Sequence, residues 1–283
     1  MLLSCAKGEL DLCITKQKVK GVMKQKHGIY EKFFKRFFDF ILSFLAIIIL
    51  SPILILTYLL SLIFIGFSPI LRQYRPGKNG KIFVLYKFRS MTNKKDKDGN
   101  LLPDKDRITW WGKILRKTSI DELPQLFNIL KGDMSIVGPR PRLVKDMVFY
   151  SDDVIKKAYS VRPGLTSPSQ ISGGRSESSW EQIFEADEKY SQNIKLSTDI
   201  KIIFKTVFAV FKSDSATSGA GDTKREYYYS DYLLKTNQIT QEQYDKGLKK
   251  SNEIISQKNK GQVTFDESLH QDQQIGEEEN ANK

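Results

Sequence analysis

From Phe40 to Leu71 the chain carries no charged side chain: FILSFLAIIILSPILILTYLLSLIFIGFSPIL. As one straight helix, at ~1.5 Å per residue, this run would exceed the ~30 Å hydrocarbon core of a bilayer. A tilted transmembrane span is the simplest reading, and two features oppose it. Ser51-Pro52 lies inside the run. Proline lacks an N–H and crowds the preceding turn, so a helix bends there, and a serine hydroxyl can serve backbone groups freed at the bend. Both flanks are also basic, with Lys24, Lys26, Lys32, Lys35 and Arg36 before the run and Arg72, Arg75, Lys78 and Lys81 after it. A single crossing places one cluster outside the cytoplasm, against the positive-inside tendency, whereas a helix that enters, breaks and returns keeps both on one side. On the residues alone, span and re-entry both stay open.

The charge balance points the same way. Lys and Arg number 45 against 33 Asp and Glu, a net of +12, and residues 214–283 hold 9 basic and 13 acidic side chains. That segment nets −4, so residues 1–213 carry +16. A body this basic suits polyanionic company: nucleic acid, phosphorylated ligands or an anionic membrane surface. The only cysteines are Cys5 and Cys13, and the only histidines His27 and His270. They build neither a disulfide framework nor a zinc site, and histidine acid–base catalysis is excluded as a theme. Carboxylates, basic side chains and a hard cation are left to carry any chemistry. MLLSC at the start lacks the basic and apolar regions of a lipoprotein signal, and Met23 opens a more natural segment, so residues 1–22 read as a dispensable extension.

Beyond the apolar run, LRQYRPGKNGKIFVLYKFRSM (71–91) reads as a β-hairpin around Gly77-Lys78-Asn79-Gly80. Residues 92–106 read as a polar surface loop. In KTSIDELPQLFNILKGDMSIVGPRP (117–141), Pro124 belongs in the first turn of a helix. The spacing therefore predicts a helix start near Asp121 to Leu123 and an end at Gly132. KIIFKTVFAVFK (201–212) suits either a core helix with lysine ends or an interfacial helix with aromatics in lipid. SDSATSGAGDT then reads as a linker, and Thr240-Gln241-Glu242-Gln243 has capping-box form, predicting a small helical hairpin with YYYSDYLLK. Residues from about Gly261 are acidic and polar, as in a disordered tail.

Asp121 and Glu122 are adjacent acids at a helix start, behind Arg116 and Lys117. Both surroundings favour ionised carboxylates, which suits a phosphorus-attacking nucleophile or a cation ligand, although first-turn acids are also ordinary helix starts. Lys87, Arg89, Arg140, Arg142 and Arg162 each lie beside Pro, Gly or an aromatic residue, a setting in which arginine recognises phosphate bidentately. Neither nucleotide-binding glycine motif is present.

Taken in order, KRFFDF, Ser51-Pro52, LYKFRSM, LRKTSIDELPQLFNILKGDMSIVGPRP and VRPGLT make the chain similar to the bacterial sugar transferase family, the small monotopic polyprenyl-phosphate phosphoglycosyl transferases. The resemblance covers residues 35 to 212. It implies an α+β fold: a mostly helical catalytic domain with a small β-hairpin, a re-entrant membrane helix broken at Ser51 and Pro52, and interfacial amphipathic helices. The corresponding layout is an extension at 1–34, membrane helix at 35–71, catalytic domain at 72–212, linker and helical appendage at 213–260, and tail at 261–283. It implies transfer of a sugar-1-phosphate from a UDP-sugar to undecaprenyl phosphate with release of UMP, at the cytoplasmic face of the inner membrane, as the first membrane step of a glycan pathway. On matching positions, Asp121 is the nucleophile and the Mg2+ ligand, and Glu122 completes the dyad. Lys87, Arg116, Arg140 and Arg162 take substrate phosphates, with Asp199 at the site edge. Where many relatives continue the RPG turn as Thr-Gly-Trp-Ala-Gln, this chain reads Leu165-Thr166-Ser167-Pro168-Ser169-Gln170, without the tryptophan.

Membrane lipids are the further partner expected, a homo-oligomer is left open, and nucleic acid is not expected. The competing class is a non-enzymatic membrane scaffold binding anionic lipid or a partner, which leaves the acid pair without a role. The segment after Ser213 reads as a solvated appendage.

Overall fold

The computed structural model describes residues 28–259 apart from 100, 152–153, 155–156, 172–178 and 212–227. The expected N-terminal extension up to residue 27, the small-residue linker and the acidic tail lie outside the described residues.

A π-helical turn, Tyr30–Phe34, leads into helix α1, Lys35–Phe64. The helix continues through Ser51-Pro52, where an interruption is expected from sequence. Pro52 has no N–H for the carbonyl of Ile48, and the Ser51 hydroxyl donates to that carbonyl instead, at 2.7 Å. The proline is therefore accommodated by a change of donor inside one continuous helix. Burial along α1 is inverted. Asp39, Ser43, Thr57 and Ser61 are buried, while Phe44, Ile48, Ile49, Ile55, Leu59 and Ile63 are exposed. Among the described residues it is the one helix long and apolar enough to cross a membrane.

Strands β1 (Ile70–Pro76) and β2 (Ile82–Phe88) form the expected antiparallel hairpin, with Tyr74 opposite Val84. Asn79 takes the left-handed conformation the turn needs, at φ 56°. Along β2, Phe83, Leu85 and Lys87 share a face by strand alternation. Phe83 and Leu85 enter a core with Leu126, Ile129 and Met134, against which Ala46, Ile47 and Leu50 of α1 pack.

The 92–106 segment, expected to be a loop, is tied down by bridges Met91–Ile108 and Lys95–Leu101 and by a short helix α2, Asp104–Arg107. Helix α3 (Trp110–Thr118) and helix α4 (Gln125–Lys131) follow. Strand β3 (Ser135–Val137) pairs in parallel with β4 (Gly164–Thr166). This second small sheet has no counterpart in the sequence reading. It depends on Gly138 and Gly164 touching, since a Cβ on Gly164 would lie 2.1 Å from the Gly138 nitrogen. Between these strands is α5 (Val144–Met147), and after them come α6 (Pro168–Ile171), α7 (Trp180–Gln192) and α8 (Leu196–Phe211). α8 buries Asp199 and Ile202 and exposes Ile200, Phe204, Val207 and Phe208.

Helices α9 (Tyr229–Lys235) and α10 (Gln241–Asn259) make the expected helical hairpin, and Thr240 and Gln243 exchange the two capping-box hydrogen bonds. The pair is not a solvated appendage. Leu233, Ile239, Tyr244 and Leu248 close around Phe149, and Ile255 joins Tyr74 and Val144. These apolar residues recur at helical spacing, so one face of α10 packs onto α5 and β1.

Candidate active site

The acid pair sits in a tight 3-10 turn, Ile120–Glu122, rather than in the first turn of α4. Pro124 explains the difference. Without its N–H the chain cannot make an α-type bond back to Ile120, and the turn closes instead through Glu122 N to Ser119 O (3.2 Å) and Leu123 N to Ile120 O (3.1 Å). Ser119 enters it at φ 56°. The helix ends where expected, with Gly132 at φ 93°.

Three further elements deliver cations to this turn. β2 brings Lys87, on the Phe83–Leu85 face. Burial lowers the Lys87 ammonium; the Asp121 charge opposes this most strongly, the Arg75 and Arg116 charges reinforce it, and Glu122 opposes it. Asp121, itself buried, thus shares a charge cluster with Lys87, Arg116, Arg75 and Glu122. α3 brings Arg116, whose Nε donates to Ser90 Oγ at 2.8 Å. The helix reaches Ser90 closely only because residue 112 is glycine: a Cβ there would stand 1.8 Å from the Ser90 carbonyl oxygen. Thr109 Oγ1 caps the same helix, accepting from Gly112 N at 2.9 Å. The Gly-Pro-Arg-Pro segment brings Arg140, whose guanidinium lies 3.5 Å from Glu122 Oε1.

Several residues that set this geometry are absent from the sequence reading as site residues. Asn128, fully buried on α4, accepts from Tyr86 N (3.0 Å) and donates to Val84 O (2.6 Å). It grips β2 as another strand would and fixes the acid pair against Lys87. Arg75 reaches Pro141 O (3.2 Å) and Gln73 Oε1 (2.7 Å), and burial, together with Arg140, pushes it down to about 10. Two carboxylates hold the segment that ends in Arg140. Asp39 of α1 accepts from Ser135 Oγ (2.7 Å) and Ile136 N (3.0 Å) at its start, and Asp187 of α7 accepts from Arg140 N (3.4 Å) at its end. Asp187 also accepts from Ser169 N, and burial raises it to about 6 against the Arg142 charge. A local signal existed only for Asp39, a lone acid at the edge of an uncharged run.

The structure brings together Asp121, Glu122, Lys87, Arg116 and Arg140. It places Arg162 at the other end of α4, where its Nε donates to Gly132 O at 2.9 Å. Asp199 is engaged elsewhere, as acceptor from Lys35 Nζ (2.6 Å), Tyr30 (2.8 Å) and Tyr190 (2.6 Å). That network ties α8 to the base of α1. Ser51 and Pro52 lie in α1, away from the acid pair in sequence and role. As for a cation, no group of three or more His, Cys, Asp or Glu side chains forms a metal cage among the described residues. One or two carboxylates completed by substrate phosphates and water is, however, the ordinary magnesium arrangement, and the acid pair fits it.

The structure thus joins a helix long and apolar enough to cross a membrane to a small domain in which an acid pair meets Lys87, Arg116 and Arg140. The bacterial sugar transferase family model matches residues 30–213, and the chain belongs to that family. It is 44% identical over 180 residues to the uncharacterized sugar transferase EpsL of Bacillus subtilis, covering 64% of this chain and 88% of that protein. It is 39% identical over 203 residues to an undecaprenyl-phosphate galactose phosphotransferase of Salmonella typhimurium. It is 40% identical over 191 residues to a UDP-glucose:undecaprenyl-phosphate glucose-1-phosphate transferase of Klebsiella pneumoniae. Each of these alignments covers 65% of this chain but only 42% and 41% of the respective relative, so the chain spans about two fifths of their length.

Proposed function

We propose that this chain transfers a sugar-1-phosphate from a UDP-sugar to undecaprenyl phosphate through a covalent intermediate on Asp121. The observation that carries this reading is the gathering of Lys87, Arg116 and Arg140 around the acid pair, with Lys87 and Arg116 sharing the charge cluster of buried Asp121 and Arg140 standing against Glu122. The Asp121 carboxylate attacks the phosphorus that bears the sugar. An acyl-phosphate bond forms, the bond to the bridging oxygen breaks, and UMP leaves with that electron pair. An oxygen of undecaprenyl phosphate then attacks the same phosphorus, forming the diphosphate and releasing the Asp121 carboxylate. Glu122 accepts the acceptor's proton where the phosphate is monoprotonated. Lys87, Arg116 and Arg140 neutralise the phosphates throughout. Asp121, with Glu122 beside it, would hold a Mg2+ whose chemistry is to neutralise charge on the donor diphosphate.

The same reading places α1 as a re-entrant helix that bends at Ser51-Pro52, with α8 lying at the cytoplasmic interface of the inner membrane. Support comes from both ends of α1. Arg36 donates to the carbonyls of Ile129 (2.5 Å) and Leu130 (2.9 Å) in α4, and Trp111 Nε1 of α3 donates to Ser61 Oγ (2.9 Å). From Arg36 to Ser61 a straight helix advances about 37 Å, more than the hydrocarbon core. α3 and α4 are joined by one short turn, so a single small domain holds both ends of α1, which supports the re-entrant reading over a simple crossing.

Membranes containing the chain, supplied with undecaprenyl phosphate and a panel of UDP-sugars, should release UMP with at least one donor. Asp121→Asn should lower that release by at least a thousandfold while expression and membrane association persist. Full release from the variant, or none from the unaltered chain with any donor, would refute the mechanism.

A further inference from the structure

A cavity of about 460 Å3 lies at the carbonyl end of α4, away from the acid pair, and five cations line it: Lys78 and Lys81 from the β1–β2 turn, Lys131 of α4, Arg162 before β4, and Lys258 of α10. Among the described residues, Asp133 is the one acid in its lining. Among the described residues none of the five is ion-paired with a carboxylate. Lys131 donates to the Tyr86 hydroxyl at 3.0 Å and stands over its ring, and Arg162 is oriented by Gly132 O. The volume exceeds the need of a lone phosphate ion and falls within the ~300–1,000 Å3 usual for small-molecule sites. Ile82, Val84 and the Tyr86 ring supply an apolar wall.

Like charges gathered from four separate elements into a concavity repel one another unless an anion neutralises them. We propose that this cleft is a second anion site, distinct from the acid pair, and that it takes an organic phosphate of two or more negative charges, its phosphates on the lysines and Arg162 and its remainder on the apolar wall. The seven residues of α4, about 10 Å of helix, separate the two sites. Lys258 lies beyond the segment matched by the family model. The α9–α10 hairpin therefore completes the cleft, which gives that appendage a role. The cleft shares the α4 carbonyl end with Arg36 at the base of α1, so the phosphate can belong to a lipid headgroup as readily as to a soluble ester. The inference does not depend on the transfer reaction, because its test reads binding without turnover.

The full chain in detergent would be titrated calorimetrically with inorganic pyrophosphate, and in a second arm sedimented with phosphatidylcholine vesicles with or without phosphatidylglycerol. Lys81→Gln/Lys258→Gln and Lys81→Glu/Lys258→Glu would be compared with the unaltered chain, after thermal unfolding has checked that each is folded. The glutamate pair should remove one equivalent of bound pyrophosphate, or reduce adsorption to the anionic vesicles, by about tenfold in affinity, with the glutamine pair intermediate. An effect confined to pyrophosphate assigns the soluble ester; one confined to vesicles assigns the headgroup. Unchanged binding in both arms with the charge-reversed, folded variant overturns the proposal.

Discussion

Helices α1 and α10 obey one rule of burial and give opposite patterns. α10 turns Tyr244, Leu248 and Ile255 inward and leaves lysines and glutamates outside. α1 turns Asp39, Ser43, Thr57 and Ser61 inward and leaves phenylalanines, leucines and isoleucines outside. In water the second pattern would expose apolar area at a cost of roughly 25 cal/mol per Å2. In lipid that cost disappears, and what needs shelter is the polar side chain, which finds it against protein. The medium differs and the physics does not, so each helix reports the solvent it faces.

The comparison can be broken most forcefully from inside α10. Leu248→Ala should cost about 2–5 kcal/mol, because it opens a cavity beside Phe149, and a chemical-denaturation midpoint shift in detergent would register it. A cost near zero would mean the hairpin is only loosely applied. On the outer face of α1, Ile49→Lys should weaken membrane partitioning by about 2.5–3.5 kcal/mol, read as protein appearing in the soluble fraction, whereas an exposed α10 substitution such as Lys249→Ala should leave partitioning unchanged. Equal behaviour of the two would mean that α1 and α10 face the same medium. On the inner face, Asp39→Ala leaves Ser135 Oγ and Ile136 N without their acceptor and should cost about 1–3 kcal/mol, with UMP release falling as well because Arg140 lies on the same segment.

The last test concerns pH. Asp187 is raised from 3.8 to about 6, so between those values the folded chain binds the proton more readily than the unfolded one. Its contribution to stability is complete below about 3.8 and is lost as pH rises through about 6. The melting temperature of the unaltered chain should carry a component that declines across this window, and Asp187→Asn should flatten it. An identical pH profile in the variant would show that the carboxylate does not titrate there.

What was legible in the sequence was local. The β1–β2 hairpin is written in its Asn-Gly turn, the end of α4 in Gly132, and the α10 start in Thr240 and Gln243. The acid pair and three of its cations, Lys87, Arg116 and Arg140, were likewise visible in short motifs. What was missed rests on partners distant in the chain. Asn128 bonds a strand more than 40 residues earlier, and Asp39 bonds residues almost 100 later. Such bonds impose no period on the sequence around them. β3 and β4 are three residues each, too short to show alternation. Arg162 and Asp199 read as site residues because a motif gives proximity in sequence, whereas the fold sets Arg162 at the carbonyl end of α4 and Asp199 against Lys35, Tyr30 and Tyr190.

Arg36 joins α1 to α4 across more than 90 residues of chain. By holding the final carbonyls of α4, it makes the base of the lipid-facing helix and the scaffold of the acid pair one mechanical piece. If α1 enters the leaflet as proposed, the depth at which it settles sets the altitude of Asp121 above the acyl chains. A bilayer of different thickness would raise or lower the carboxylate like a float gauge, and an acceptor tethered in the leaflet would meet it at a correspondingly altered reach.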